Sequence, residues 1–421
     1  MMFEKKDYDK EILNIKKRSK KHTCLYSECL DKTIYSHAIS RSISMEKISE
    51  NGHVKNFSPI RHGDEKISKI LDVGINDATA FNGFCHLHDG VFNDIDEREI
   101  NNLRNLYLQV YRSMSCVYYY EKIGDILYPN IDIGEAVKII VDNQISKGEI
   151  DITQDKLDEI KELLSDEMEG SNNIKNRELN KIKEEINRVR NYFLNNIYEL
   201  DECKYVNRKL NGKGTELQTI KFNDFNYALF YYITDFQVPV AINTMHNLNY
   251  DGRDFLFFYI VIPYEESNII IGVMENNLPA EYYDKIINLI DDAFKNRLAV
   301  LNFIETLIIS SPDDTYLKPC VINNMEKRKL DFILNDFMFL HEFLSFDKYF
   351  SEYDVSIFDE LRSSIISEDG NVFNESELEK IHTLPKRENI EVRKEKMMSK
   401  IMRENITIKS LKMNHRDDII E

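Results

Sequence analysis

Six of the ten histidines and three of the six cysteines lie between residues 22 and 88 of a 421-residue chain. Thiols and imidazoles gathered on either side of one segment constrain folding most when they share a metal ion, because the ion then closes a module too small to be held by its own core. Zn²⁺ takes four N or S ligands in a tetrahedron, and short-spaced pairs present two at a time. The pairs here are Cys24 with Cys29 and Cys85 with His88. Cys-x-x-His suits ligation from the start of a helix, while four residues between the two cysteines is the loose end of the usual spacing. His86 competes in the second pair, and His37 is able to replace a member of the first.

The rest of the composition bounds the class. At 421 residues, with 42% apolar and 30% charged residues, the chain has room for two or three soluble domains with their own cores. A net charge of −18 argues against a surface built wholly for nucleic acid, since backbone binding rests on Lys and Arg. The exception is a basic arm, with eight Lys or Arg over residues 4–21, directly ahead of the metal module. Cys116, Cys203 and Cys320 are isolated, so no disulfide framework is read. With no signal-like apolar core near the start and no run long enough to span a bilayer, the expectation is a cytoplasmic protein without a membrane partner.

Around the candidate ligands the sequence reads as a tight turn over Thr23–Thr33 and a short strand within Ile34–Ser40. A helical turn through Met45 and Ile48 follows, then a turn at Asn51-Gly52. A polar loop runs over 55–80, and a helix starts at Cys85. This layout resembles the treble-clef zinc form of HNH endonucleases over about residues 20–95. Ser36-His37-Ala38-Ile39 matches the family's strand motif, and Cys85 and His88 match its second ligand pair. The resemblance implies that His37 is a general base and that Asp89, standing where the family has a metal-binding histidine, holds Mg²⁺ or Mn²⁺. It implies DNA or RNA as the partner of the N-terminal module. Two positions depart from the pattern: Ser36 replaces the acid before the histidine, and Ala80 falls where the family has its central asparagine. More loosely, Ser36–Ile39, Gly52-His53-Val54 and Phe84–Asp89 resemble a group of bacterial proteins of unassigned function. His37 also reads as a zinc ligand or a hydrogen-bonded core histidine, and His53 as structural.

Leu103, Leu106, Val110, Met114 and Val117 recur at helical spacing, with Arg104 and Arg112 off the stripe and Tyr118–Tyr120 read as core. Helices are expected over about 134–148 and 153–167. A coiled-coil-like seam of Leu179, Ile182, Ile186, Val189, Phe193 and Leu200 then offers residues 174–200 to a helical hairpin, a protein partner or a second copy. After Asn211-Gly212 the character changes. Strands are read at 226–234, 237–246, 254–263 and 268–274, with Phe255–Ile262 apolar throughout and therefore central. Helices follow over 280–309 and 322–365, then a charged tail that is helical over Lys386–Lys400. His246, Asp251, Asp254 and Cys320 read as structural or surface residues.

The expected fold is a multidomain α+β chain. It comprises a basic arm and treble-clef zinc module (1–100), a helical hairpin region (101–210), an antiparallel β-rich domain with covering helices (211–310) and a helical C-terminus (311–421). The expected function is a zinc protein that engages nucleic acid, as a metal-dependent nuclease in antiviral defence or stress. The alternative is a non-catalytic zinc-stapled scaffold that binds protein.

Overall fold

The computed structural model describes residues 23–62, 65–127, 180–197, 216–222, 224–250, 253–276, 280–339, 353–369 and 375–396. Its strands are β1 (Ser36–His37), β2 (His53–His62), β3 (Glu65–Gly74), β4 (Ala80–Phe81), β5 (Gln218–Lys221), β6 (Tyr227–Ile233), β7 (Val240–Tyr250), β8 (Arg253–Pro263), β9 (Asn268–Glu275) and β10 (Thr315–Leu317). β1 and β4 form a two-stranded ladder, and the other strands pair into an eight-stranded antiparallel sheet ordered β3-β2-β10-β7-β8-β9-β6-β5. The chain is thus mixed α+β, and its one large sheet draws strands from residues 53–74, 218–275 and 315–317.

The centre of the sheet follows from the apolar run read in sequence. Every residue from Phe255 to Ile262 on β8 is buried between β7 and β9. Successive side chains point to opposite faces. Phe255, Phe257, Tyr259 and Val261 enter one core, while Leu256, Phe258, Ile260 and Ile262 enter the other. Both faces must therefore be covered. Gly272 on β9 lies opposite Phe230 of β6, and a Cβ there would fall 2.0 Å from the Phe230 ring, so only glycine lets that ring lie across the strand.

The helices supply the covering layers: α1 (His86–Asp89), α2 (Asn93–Glu97), α3 (Leu103–Leu127), α4 (180–197), α5 (Ala280–Ala293), α6 (Arg297–Ser310), α7 (Pro319–Asn323), α8 (Lys327–Phe337), α9 (Asp359–Asp369) and α10 (Glu375–His382). The first core holds Cys24, Phe84 and Cys85 of the metal module with Leu106, Val110 and Met114 of α3. The second holds α5, α6, α8 and α9, with α6 buried from Ala299 to Ser310.

Several expectations change here. The segment 55–80, read as a loop, is the hairpin of β2 and β3, paired from His53–Gly74 to His62–Glu65. Asn51 and Gly52, at φ of 52° and 74°, make the turn that launches it. β10 pairs with β2 only at Asn56 and Lys55, so among the described residues no strand pairs with Pro59 on the side away from β3. The seam of Ile186, Val189 and Phe193 is fully buried within the chain's own core, where Phe193 meets Tyr107 of α3 edge-on at 5.3 Å. That face is not available for a coiled coil. Arg112, off the apolar stripe, is nonetheless buried, because its guanidinium pairs with Asp96 at 2.7 Å and lies over the Phe92 ring. The helices expected at 134–148 and 153–167 lie outside the described residues. Of Lys386–Lys400, residues 390–396 are described as helix. No helix among the described residues is long and apolar enough to cross a membrane.

Candidate metal centre

Two pieces of chain meet to form the centre. The first is the knuckle from Cys24 to Cys29, closed by the Cys29 N–H donating to the Tyr26 carbonyl at 3.2 Å. The second is the entry to α1, where Cys85 precedes the helix and the Asp89 N–H donates back to its carbonyl at 2.8 Å. Backbone bonds tie the two pieces together: Leu25 N–H to Gly83 O and Ile34 N–H to Phe84 O, both 2.7 Å. Gly83 has to be glycine, since a Cβ would stand 2.1 Å from the Phe81 ring.

The two segments place one ligand atom from each of Cys24, Cys29, Cys85 and His88 within 4.8 Å of one another. Cys24 Sγ lies 3.5 Å and Cys85 Sγ 3.2 Å from His88 Nδ1, and Cys29 Sγ lies 3.9 Å from Cys85 Sγ. A tetrahedral zinc with Zn–S near 2.3 Å and Zn–N near 2.05 Å has S–S edges of about 3.8 Å and S–N edges of about 3.6 Å. The donor set and its spacing therefore fit an ion such as zinc. Among the described residues no other group of His, Cys, Asp and Glu meets this criterion.

The surroundings orient the ligands. The Cys85 N–H donates to Cys24 Sγ at 3.3 Å, a bond that favours the thiolate. Tyr26 stacks on the His88 ring at 3.9 Å and 6°, fixing the imidazole with Nδ1 toward the sulfurs. Arg190 of α4, buried among Tyr111 and Tyr118, donates to the Leu25 carbonyl at 2.8 Å. Three thiolates around a divalent ion would carry one net negative charge, which a guanidinium at this place would offset. Burial pushes the Cys24 thiol up to about 12. At Cys85 burial works in the same direction, but the His88 and Leu87 amides, with bonds from Cys29 and Cys24, outweigh it and hold the thiol below its usual range. Metal binding here must displace protons and so strengthens as pH rises.

The candidate catalytic residues behave differently. His37 Nε2 lies 3.1 Å from the Asn76 carbonyl, which only accepts, so that nitrogen carries a hydrogen. Burial and the nearby Arg112 hold the imidazole below its usual pKa. Ala80 pairs with His37 across the ladder. Asp89 sits on α1 with Oδ1 shielded and without a hydrogen-bond partner among the described residues. The metal-spaced group contains neither residue, nor His86. His53 Nδ1 contacts the Asn51 carbonyl at 2.9 Å and belongs to the turn.

Sequence reasoning passed over a second polar constellation. Thr244 and His246 of β7 share a face by strand alternation, and Ser311 Oγ lies 2.6 Å from His246 Nε2. Thr244 Oγ1 lies 3.0 Å from both Ser311 Oγ and Asp314 Oδ2. The Thr-x-His alternation was its only sequence signal. Comparison of the chain with protein-family models, curated proteins and solved structures finds no match.

Proposed function

We propose that the Cys24–Cys29–Cys85–His88 centre binds one structural zinc ion, which staples the N-terminal knuckle to α1 and so completes one covering layer of the sheet. The observation that carries this is the convergence of four soft ligand atoms within 4.8 Å from segments about sixty residues apart. Four protein ligands fill a tetrahedral shell and leave no position for water or substrate, which is the mark of a structural site. The protein in this reading is a zinc-stapled scaffold. Metal analysis of the purified full-length chain tests it: one zinc per chain is expected, lost in Cys24→Ser and Cys85→Ser. Protein that carries no zinc and takes none up in titration would refute the reading.

A second reading, engagement of DNA or RNA by an HNH-like module, has one structural observation in its favour. The order knuckle, two-stranded ladder with His37, and helix opening on two candidate ligands is compatible with the order expected of a treble clef. The buried, unpartnered Asp89 Oδ1 then suits a hard cation such as Mg²⁺ or Mn²⁺. This reading requires divalent-metal-dependent cleavage that His37→Ala and Asp89→Ala abolish while zinc content stays at one. Absence of cleavage with Mg²⁺ and Mn²⁺ on both DNA and RNA removes it.

A further inference from the structure

The three cysteines of the candidate centre do not share one environment. Cys24 and Cys85 are buried, at 6% and 3% exposure, whereas Cys29 is half-buried at the end of the knuckle, next to Leu30 at 85% exposure. Cys29 Sγ also lies 3.9 Å from Cys85 Sγ, across the junction between the knuckle and the entry to α1. An oxidant arriving from solvent therefore meets one sulfur first and finds a second directly behind it.

We propose that the centre is also a redox modification site, at which a hydroperoxide joins Cys29 to Cys85 in a disulfide and the ion is lost, so that the staple has a zinc form and a covalent form. The proposal rests on the structural-zinc reading above, because an ion bound by sulfur keeps its cysteines as thiolates, the form that reacts with peroxide.

The chemistry balances with two thiolates and one peroxide. The Cys29 thiolate attacks one peroxide oxygen and the O–O bond breaks, giving a Cys29 sulfenic acid and, from hydrogen peroxide, hydroxide. The Cys85 thiolate then attacks the Cys29 sulfur, forming the S–S bond and expelling a second hydroxide. Two electrons pass from the sulfurs to the peroxide, and two protons from solvent turn both hydroxides into water. The sulfurs have to close by about 1.9 Å to reach a bond length near 2.05 Å. The knuckle is the side built to move. Glu28, directly before Cys29, sits at φ 61°, a left-handed conformation that costs energy in a residue with a Cβ. Movement of Cys29 lets that residue relax.

Once the two sulfurs are joined, Cys24 and His88 remain of the four candidate ligands, too few to fill a tetrahedral shell. The new bond links residues 56 apart in sequence, one on each piece of chain, so the knuckle stays fastened to α1 after the ion leaves. That makes the change reversible, since reduction returns both thiolates beside Cys24 and His88. The two forms differ around the knuckle. Tyr26 is stacked on the His88 ring, and the Leu25 carbonyl accepts from the buried Arg190 of α4 at 2.8 Å. A shift of Cys29 pulls on both contacts, which carries the redox state to α1 and α4.

The test treats zinc-loaded full-length protein with hydrogen peroxide, follows zinc release with a chromogenic chelator, and maps disulfides by mass spectrometry without reduction. About one zinc should be released per peroxide consumed, with a Cys29–Cys85 peptide formed in the same proportion and zinc binding restored by a reductant and added zinc. Cys29→His keeps four N or S ligands but removes the outer sulfur, so it should hold zinc and release it to peroxide at least about tenfold more slowly. If that variant does not hold zinc, the disulfide map of the parent decides. Release without a Cys29–Cys85 peptide, a disulfide that includes Cys24, or zinc retained at roughly ten equivalents of peroxide would overturn the redox proposal and leave the structural zinc standing. Protein that takes up no zinc before peroxide is added removes the structural-zinc reading, and the redox site with it.

Discussion

Helix α6 is buried on every side over twelve consecutive residues, Ala299 to Ser310, in the core shared by one face of the sheet with α5, α8 and α9. The layer on the other face includes a knuckle, the two-residue strands β1 and β4, and the four-residue helix α1. The contrast extends to their polar parts. Under α6, Arg362 is fully buried and bonds to Glu305, Glu377 and Asn302, while Glu305 Oε1 also accepts the Ile357 and Phe358 amides. In the metal layer the corresponding cross-link is the Cys₃His group. Long helices bury enough apolar surface to fix their own positions. Elements of two to four residues do not, and need a ligand bond to do so.

The largest way to break this comparison is to remove the metal ligands. Structural zinc contributes on the order of 10 kcal/mol to small modules. Chelation, or Cys85→Ser, should therefore abolish hydrogen-exchange protection over residues 24–38 and 79–97 while α6 keeps its own. Equal loss in α6 would show that the two layers form one cooperative unit and that the contrast has no energetic meaning.

The next test strikes the other layer. Arg362→Ala leaves Glu305 buried without its cation, a change that costs about 3–5 kcal/mol. Many buried ion pairs tolerate joint replacement by apolar residues. This one should not, because removing Glu305 also orphans two backbone amides. Urea unfolding of Arg362→Leu/Glu305→Leu should show a deficit at least as large as that of Arg362→Ala. Recovery in the double variant would reduce the network to an ordinary ion pair.

These layers differ also in how far the sequence disclosed them. The four candidate ligands were legible because each pair is local: Cys85 and His88 lie one helical turn apart, and Cys24 and Cys29 flank one turn. The central strands were legible because Phe255–Ile262 is covered on both faces. The β2–β3 hairpin was not, since its residues are largely polar and Pro59 masks it; Val54, Asn56 and Phe57 are its buried anchors. Nor did spacing hint that Asn56 would clasp β10, donating to the Asp313 and Thr315 carbonyls 257 and 259 residues away.

A pH profile sharpens the comparison where the two layers adjoin, at His246 and Asp314. Burial lowers the His246 pKa from 6.5 to about 3. The unfolded chain then binds more protons than the folded one between those values, so stability falls as pH drops from 6.5 toward 3. Asp314 has the opposite sign. Its carboxyl is raised from 3.8 to about 6, which favours the folded state as pH drops from 6 to 3.8, but the side chain is exposed to solvent and its contribution is small. The windows overlap and the slopes oppose. Replacing His246 by Gln should therefore remove the acid-destabilising slope, and urea unfolding from pH 6.5 to 4 should differ from the parent by up to about 1.4 kcal/mol per pH unit. Parallel profiles would mean that His246 is protonated in the folded protein.

The smallest effect is expected at His37, and it bears on what kind of layer the metal side is. In a purely structural layer His37 is a strand residue whose Nε2–H serves one carbonyl, that of Asn76. Asn76 also accepts from Arg41 through its side chain, so the turn keeps a second tie when His37 is lost. His37→Ala should then cost about 1 kcal/mol, the net worth of one such hydrogen bond, and leave zinc in place. Thermal unfolding and metal analysis of the same sample decide it. A loss beyond about 3 kcal/mol, or release of zinc, would mean that the β1–β4 ladder carries the metal layer rather than resting on it. The short elements would then support the centre as much as the centre supports them.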